Sequence, residues 1–369
     1  MIAQRALRNG WFQAAALCFL VGVALVLVWW RGPDWGSVFD AFQFVVWSWI
    51  VLALLLNLVS TFFRALSWRL TIGQALPAEH HPRLVHVLSA FGVGLFANAA
   101  LPGRLGELAR VATLRRHLPE APPGTSAALV GTVIAHRLFD LVPATIVVIW
   151  VLATAEVPHW AVVAIMIAAG IGLAVFAAAW LGARRHQRTM VREGMGKVRH
   201  LLAMARQGLS VLKAPLPLAA AVLLQCLGWL MQLLAVWVAM QAFGIDAPLA
   251  AAGLVLVLMN IATIFPLWPG NVGLVQAAVA LPLRNYGVPY ATGFAYGLAL
   301  QALEMACGVG LGLLALAREG ISLAVLRRMQ AEEPAENAVE AVREMTVEMT
   351  EEIAADERPA AREGASLPG

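Results

Sequence analysis

Two stretches with the same pattern decide the fold: Leu101-Pro102-Gly103-Arg104-Leu105-Gly106-Glu107 and Trp268-Pro269-Gly270-Asn271-Val272-Gly273-Leu274. Each follows an apolar run, 84–101 or 248–268, and precedes a shorter helical stretch. Proline removes an amide donor and fixes φ, whereas glycine permits a tight reversal. The sequence therefore predicts that both helices break and turn back. The residues predicted to form these turns are Pro102, Gly103, Gly106, Pro269, Gly270 and Gly273.

The surrounding sequence places these turns in a membrane. The chain is 60% hydrophobic and 13% charged, whereas soluble domains have about 25% charged residues. Apolar runs of about 20 residues are long enough to cross about 30 Å of hydrocarbon. The sequence predicts an all-α polytopic membrane protein with about six full spans and two re-entrant hairpins, or eight to ten spans if the hairpins cross fully. The spans are 11–30, 41–62, 126–153, 160–182, 215–243 and 291–317, and the hairpins are 84–117 and 248–284.

The two Pro-Gly turns are 167 residues apart, and a shift of this length aligns Arg137 with Glu304. Both halves share the order span, span, broken hairpin, span, which indicates an internal duplication. The predicted repeats are residues 1–158 and 159–330. With six spans, the hairpins enter from opposite faces, so the repeats are inverted, an arrangement typical of alternating-access transporters. Breaks at membrane depth also require surrounding protein or a water-filled cavity.

Charge sets the predicted orientation. Arg5, Arg8 and the eight Lys and Arg residues of loop 183–213 predict cytoplasmic N- and C-termini in the inner membrane. That loop lacks interleaved aromatic residues, so we interpret it as an anchor to anionic lipid rather than a nucleic-acid site. Residues 331–369 hold 11 acids and three arginines, a composition that predicts a mostly disordered cytoplasmic tail.

Few charged residues lie inside the apolar stretches, and such residues normally face a cavity or a partner. Arg104, Glu107 and Arg110 are spaced by three, which places them on one helix face. Two guanidinium groups near a helix N-terminus suit a phosphate group. We therefore predict that Arg104 and Arg110 bind substrate. The predicted gating or ion-pair residues are Glu107, Arg137, Asp140 and Glu304.

An alternative interpretation assigns these charges to structure. The pairs Glu107–Arg110 and Arg137–Asp140 would then be internal salt bridges that hold the first hairpin shut. The repeat alignment suggests a further ion pair, between Arg137 and Glu304. Because the second half has fewer charges, the polar site is expected to lie toward the first hairpin.

Amide side chains complete the predicted substrate lining. They are Asn98, Asn271 and Gln276, although a lone amide in a membrane helix also serves to join helices.

Enzyme signals are weak. The sequence has no H-E-x-x-H, G-x-S-x-G or P-loop motif. No metal site or cofactor is predicted, because the histidines and Cys18, Cys226 and Cys307 lack ligand spacing. Glu107 and Asp140 form an acid/base pair only if the fold brings them together, which leaves an intramembrane transferase as a minor alternative.

Three motifs resemble a known family. They are P-G-R-x-G-E-x-x-R (Pro102 to Arg110), R-x-x-D (Arg137, Asp140) and P-x-x-P-G-x-x-G (Pro266 to Gly273). Together they resemble the flippase-like transmembrane domain of lysylphosphatidylglycerol synthases, over roughly residues 10–320. In that family Asn271 is often Gly and Gln276 is often an acid. The resemblance implies movement of an aminoacylated phospholipid between leaflets, without the separate domain that synthesises it.

Together these features suggest a lipid translocase for a polar, phosphate-bearing lipid. Candidate substrates are an anionic phospholipid, an aminoacylated phospholipid or a polyprenyl phosphate. The alternative is a non-transport subunit or scaffold for a lipid- or glycan-modifying enzyme, with the basic loop and acidic tail as docking surfaces for a cytoplasmic or membrane partner.

Overall fold

The computed structural model describes residues 33–100, 106–118, 121–122, 125–172, 214–263 and 271–319. All regular structure in these segments is helical. The predicted span 11–30, the basic loop 183–213 and the acidic tail lie outside them. So do the predicted turn residues Pro102, Gly103, Pro269 and Gly270, and the predicted phosphate ligand Arg104.

Ten α-helices are present in the described segments. They are α1 (Trp35–Gln43), α2 (Trp47–Ala75), α3 (Leu84–Ala100), α4 (Gly106–Arg116), α5 (Thr125–Thr154), α6 (His159–Gly172), α7 (Pro215–Ala242), α8 (Leu249–Ala262), α9 (Leu274–Leu283) and α10 (Tyr290–Glu319). Short 3-10 turns occupy Ala78–His80 and Arg284–Tyr286.

Helices α2, α5, α7 and α10 are long and apolar enough to span a bilayer. They have 28 to 30 residues each, or about 42–45 Å at 1.5 Å per residue, against about 30 Å of hydrocarbon. Their outer faces expose large apolar side chains, such as Phe62 on α2 and Ile149 on α5. The chain is therefore an integral membrane protein. The full span count stays a prediction.

One predicted boundary is wrong. The span predicted at 41–62, which ends before Arg64 and Arg69, instead begins at Trp47 and continues to Ala75. Both arginines therefore lie within α2. The prediction ended the span at the first charged residue. The helix continues because Arg64 finds polar partners on α7, including Gln232, and a charge within a membrane helix is tolerated when it is paired inside the bundle.

Each Pro-Gly stretch separates two short helices. Helices α3 and α4 form the first pair, and α8 and α9 the second, with 10 to 17 residues in each helix. These lengths are about 15–26 Å, too short for any one of them to cross the hydrocarbon alone. Asn98 lies beside Gly106, and Gly94 beside Gly106 and Arg110, so α3 and α4 run antiparallel. The short arms are consistent with hairpins, and their re-entry stays a prediction.

The helix positions in the two halves correspond. Helices α2, α3, α4 and α5 begin 165 to 168 residues before α7, α8, α9 and α10, respectively. This spacing is the one that a duplication with a shift of 167 residues requires.

Helices α2 and α7, which correspond in the two halves, pack antiparallel. The Ser60 hydroxyl donates to the Gly228 carbonyl at 2.7 Å, and the Ser67 hydroxyl donates to the Ala221 carbonyl at 2.9 Å. A step of seven residues forward on α2 is thus a step of seven back on α7. A two-fold axis perpendicular to both helices would relate them in this way, as an inverted repeat requires.

The two ends of the bundle differ in charge. At one end, the Val46 amide donates to the Ala242 carbonyl, and the Glu156 amide donates to the Tyr286 hydroxyl at 2.7 Å. This end carries Asp34, Asp40, Glu156, Asp246 and Arg284. The opposite end carries Arg69, Arg83, Arg115, Arg116 and Arg318 beside Glu79 and Glu319. Basic residues favour the cytoplasmic side, so the arginine-rich end is the one expected to face the cytoplasm.

Helix α1 begins at the acidic end because Asp34 caps it. The Asp34 carboxylate accepts hydrogen bonds from the Ser37 hydroxyl at 2.7 Å and the Gly36 amide at 3.1 Å. These bonds, the Ser37 bond first, hold the pKa of Asp34 below its usual value. Trp35 and Phe42 then pack on Phe294 and Phe243, which fixes α1 against α10 and the end of α7.

Candidate functional site

The site begins where the first hairpin closes. The Asn98 side-chain oxygen accepts a hydrogen bond from the Gly106 amide at 2.9 Å, which satisfies a free N–H group at the start of α4. The Gly94 carbonyl would lie only 2.0 Å from a Cβ atom on Gly106, so glycine is required at this approach. Asn98 thus joins the two helices of the hairpin. The close contact at Gly106 fixes the position of Glu107, the next residue, and of Arg110, one turn further along α4.

Arg110 is almost completely buried, with 3% of its surface exposed. Its guanidinium lies over the ring of Trp68 at 4.6 Å and near the ring of Phe91 at 5.5 Å. One guanidinium nitrogen, Nη2, lies 2.7 Å from a Glu107 carboxylate oxygen. Its Nε atom has no hydrogen-bond acceptor among the described residues. Arg110 is therefore a fixed cation with an unused donor.

Glu107 connects this cation to α5. Its second carboxylate oxygen pairs with Arg137, and Arg137 also contacts Asp140, one turn further on α5, at 3.3 Å. The pairs Glu107–Arg110 and Arg137–Asp140, predicted from their spacing, are both formed. The pair between Glu107 and Arg137 joins them across two helices.

Asp140 extends the connection to α7. It accepts hydrogen bonds from the side chains of Gln225 and Trp229, the latter at 2.9 Å. The Trp229 ring in turn lies 5.6 Å from the guanidinium carbon of Arg64. Arg64 donates to the Gln232 side-chain oxygen. The connected groups thus reach α2 through one face of α7, which carries Gln225, Trp229 and Gln232.

Glu304 completes the arrangement from α10. The Gln232 amide nitrogen donates to the Glu304 carboxylate at 3.3 Å. The carboxylates of Asp140 and Glu304 both act electrostatically on Arg64. We call this set of connected side chains the polar layer, and define it as Arg64, Glu107, Arg110, Arg137, Asp140, Gln225, Trp229, Gln232 and Glu304.

The polar layer contains three arginines and three carboxylates, so its charges balance when all six groups are ionised. The hypothesised ion pair between Arg137 and Glu304 is not formed. Arg137 pairs instead with Glu107 and Asp140, and Gln232 links Arg64 to Glu304. The predicted span 41–62 ends before Arg64, so this residue was not expected within the membrane.

Sequence reasoning also missed the contribution of α7. Gln225, Trp229 and Gln232 recur at intervals of four and three residues, which places them on one face of an apolar helix. That spacing was a readable signal. His136 was considered only among the histidines that lack metal-ligand spacing. It is buried, and its Nε2 atom contacts the Arg64 carbonyl at 3.1 Å, so it holds α5 against α2.

The second hairpin carries amides rather than charges. Asn271 is 4% exposed, and its side-chain nitrogen donates to the Ala262 carbonyl at 2.9 Å. Gln276 is fully buried; its side chain accepts from the Gly273 amide and donates to the Gln301 oxygen, both at 2.6 Å. Both predicted lining residues thus hold this hairpin together. The predicted turn glycine Gly273 has a φ of 92°, a conformation that favours glycine.

The backbone at position 271 adopts a conformation that few residue types tolerate. Asn271 has a φ of 46°, in the left-handed region that Asn and Gly tolerate better than other residues. We expect Asn271→Ala to lower the free energy of unfolding by about 2–3 kcal/mol, because it adds left-handed strain and loses the bond to Ala262. Asn271→Gly should cost only about 1 kcal/mol, because the bond to Ala262 is lost but no left-handed strain is added.

The free energy of unfolding of both variants is measured in detergent, with unfolding monitored by the loss of helical circular dichroism. Equal destabilisation by the two substitutions would contradict a conformational role for Asn271.

The side chains of the polar layer can form and break ion pairs with one another. Glu107 and Asp140 share Arg137 as an ion-pair partner. Among the described residues, no three His, Cys, Asp or Glu side chains are grouped as ligands for a metal ion.

Similarity to known sequences agrees with this architecture. The family described as the lysylphosphatidylglycerol synthase TM region matches residues 14–312. No curated protein and no solved structure matches the chain. The match covers most of the chain, including both hairpins and every residue of the polar layer. The chain therefore belongs to the lysylphosphatidylglycerol synthase transmembrane-region family.

Proposed function

We propose that this protein is a lipid translocase that moves a polar, phosphate-bearing lipid between the leaflets of the cytoplasmic membrane. The observation that carries the proposal is the position of Arg137. Its side chain is 51% exposed, although it lies near the middle of α5, a 30-residue apolar helix. A charge at this depth is costly unless water or a polar ligand reaches it.

The surroundings of Arg137 fit a lipid better than a soluble solute. Ile134 and Leu141 flank Arg137 on the same face of α5 and are 49% and 43% exposed. On α4, Leu108 is 45% exposed beside Glu107. These apolar side chains would contact acyl or prenyl chains, while Arg137 meets the head group. The polar layer would thus open laterally toward lipid between α4 and α5.

Arginine is the expected ligand for a phosphate group, because its planar guanidinium donates two parallel hydrogen bonds. Arg137 would contact the phosphate first. Arg110, whose Nε donor has no acceptor among the described residues, would contact it deeper in the bundle after its ion pair with Glu107 breaks. Arg104 precedes α4 by two residues, and we assign it to the same phosphate. Glu107, Asp140 and Glu304 would serve as the gate.

Alternating access would follow from the duplicated helices. Movement of one broken hairpin relative to the other about the α2–α7 contact would open the polar layer to each leaflet in turn. In this proposal both hairpins re-enter, both termini are cytoplasmic, and the chain transports without catalysing a reaction. The phosphate-bearing head groups it would bind are those of phosphatidylglycerol, its aminoacylated form or a polyprenyl phosphate.

Leaflet exchange in proteoliposomes tests the proposal. Each of the three labelled lipids would be reconstituted with wild-type protein, with Arg137→Ala and with the matched control Arg284→Ala, which removes an exposed arginine at the acidic end. We expect exchange of one lipid class. Arg137→Ala should slow it by about tenfold or more, because a charge-assisted hydrogen bond contributes about 1.5–3 kcal/mol. Arg284→Ala should exchange at the wild-type rate.

Equal rates for wild-type protein and protein-free vesicles, with every lipid, would contradict transport. The scaffold alternative makes the opposite prediction about the tail: deletion of residues 331–369 should abolish a scaffold's function but leave leaflet exchange intact.

A further inference from the structure

Glu304 differs from the other two carboxylates of the polar layer. Glu107 and Asp140 each form an ion pair with Arg137. Among the residues that the structure describes, Glu304 forms no ion pair, and its carboxylate accepts one hydrogen bond, from the neutral amide of Gln232 at 3.3 Å. Gln232 also binds Arg64 through its oxygen, so a neutral side chain links Arg64 to Glu304. A carboxylate inside a membrane bundle without an ion-pair partner is costly.

The immediate surroundings of Glu304 are small and mostly apolar. A cavity of about 10 Å³ adjoins the carboxylate, and its remaining polar lining is Gln232 and Asn57. This volume has room for about one water molecule. A single water bonded to Asn57 and Glu304 would place a proton donor directly beside the carboxylate. The cavity is far too small for a lipid head group, so it is distinct from the opening at Arg137.

The charged and titratable neighbours of Glu304 are few. Arg64 faces it from α2, and Cys307 lies one turn away on α10 itself. Helix α7 presents the neutral Gln232, and α8 presents Met259. Helices α3 and α9 also pack on α10 and carry no Asp, Glu, Lys or Arg, and α1 carries only Asp40, at the acidic end of the bundle. Among the described residues, the hydrogen bond from Gln232 and the charge of Arg64 are therefore what favours the ionised carboxylate.

Charge balance then connects Glu304 to the substrate. With three arginines and three carboxylates ionised, the polar layer is neutral, and an anionic head group would leave it with excess negative charge. One proton on a carboxylate restores neutrality, and Glu304 is the carboxylate that loses no ion pair on protonation. In addition, neutral Glu304 no longer attracts Arg64, which is then available to the head group.

We propose that Glu304 is the binding site for a coupling proton, which enters from water when an anionic head group occupies the polar layer and leaves after the head group has crossed. This inference rests on the proposed function. The proton bonds to one carboxylate oxygen, forming a neutral carboxylic acid, and the same O–H bond breaks on release. Nothing is oxidised or reduced, and one proton moves with each anionic lipid.

The first test measures proton binding without transport. Infrared spectra of the full chain in phosphatidylglycerol vesicles, recorded against pH, should contain the C=O band of a protonated carboxylic acid. The band should disappear in Glu304→Gln, which keeps the shape and the bond to Gln232. It should persist in the control Asp40→Asn, which changes an exposed carboxylate on α1. A wild-type band that Glu304→Gln leaves unchanged overturns the proposal.

The second test measures coupling. Vesicles with a gradient of one pH unit are prepared with the labelled lipid that wild-type protein exchanges. One proton per lipid gives up to about tenfold asymmetry between leaflets at equilibrium. Glu304→Gln should reach an asymmetry of about one, while Asp40→Asn behaves as wild type. Equal leaflet distribution with wild-type protein, despite rapid exchange, overturns coupling but leaves the proposed function standing.

Failure of the proposed function has a different signature. In that case no variant exchanges lipid in either the presence or the absence of the gradient, and the infrared spectra alone decide whether Glu304 binds a proton.

Discussion

Glu107→Ala is expected to lower the free energy of unfolding by about 3–5 kcal/mol, because it leaves a buried charge without its partner. Arg110 is 3% exposed, and Glu107 is its ion-pair partner in the structure. Arg137, which also loses Glu107, keeps Asp140 at 3.3 Å and is half exposed. The buried charge left without a carboxylate partner is therefore that of Arg110, whose guanidinium lies against the rings of Trp68 and Phe91.

A double variant separates the loss of the ion pair from the burial of the unpaired cation. Arg110→Met replaces the guanidinium by an apolar side chain of similar length, so Glu107→Ala combined with Arg110→Met should recover most of the lost stability. Replacing a buried pair by apolar groups is often neutral. The two variants are compared by their unfolding midpoints in detergent, monitored by circular dichroism. If the double variant is no more stable than Glu107→Ala alone, the cost does not come from Arg110.

The long apolar helices and the two breaks were predictable, because membrane spans and Pro-Gly turns each leave a local signal. The four described spans lie within a few residues of predicted runs, except at α2. There the prediction failed because hydropathy treats any charge as the end of a span. Whether Arg64 ends a helix or lies inside it depends on Gln232, which is 168 residues away, and no local pattern contains that information.

The site was predictable in composition but not in its connections. Spacing of three residues correctly paired Glu107 with Arg110, and Arg137 with Asp140. The contact between Glu107 and Arg137 depends on how α4 packs against α5. The predicted repeat symmetry suggested Glu304 as a partner of Arg137, but Arg137 pairs with Glu107 and Asp140, and Glu304 is linked to Arg64 through Gln232.

The position of the polar layer has a physical explanation in the α2–α7 contact. Ser60 bonds to Gly228, and Arg64 extends along the same surface, with its side chain 3.0 Å from where a Cβ atom on Gly228 would lie. Glycine at 228 therefore makes room for the arginine between the two repeat-related helices. A charge placed at this contact can reach groups from both halves, which explains how one arginine interacts with Asp140 of the first half and Glu304 of the second.

Gly106→Ala is the second substitution with a large expected effect, and it tests whether the first hairpin positions the site. A Cβ atom at this position would lie 2.0 Å from the Gly94 carbonyl oxygen and 2.5 Å from the Asn98 side-chain carbon. A backbone oxygen cannot rotate away, so α4 must move off α3. We expect a loss of about 3 kcal/mol from overpacking, together with loss of the bond between Asn98 and the Gly106 amide.

Displacement of α4 should also carry Glu107 away from Arg137, so leaflet exchange should fall even where the protein remains folded. Gly310→Ala is the matched control, because Gly310 lies within α10 and no atom lies within 4 Å of a Cβ placed there. Alanine is the better helix former by about 1 kcal/mol, so this variant should be as stable as wild type or more so, with unchanged exchange. If Gly106→Ala instead matches Gly310→Ala in both unfolding midpoint and exchange rate, the close approach of α3 and α4 does not hold the polar layer in place.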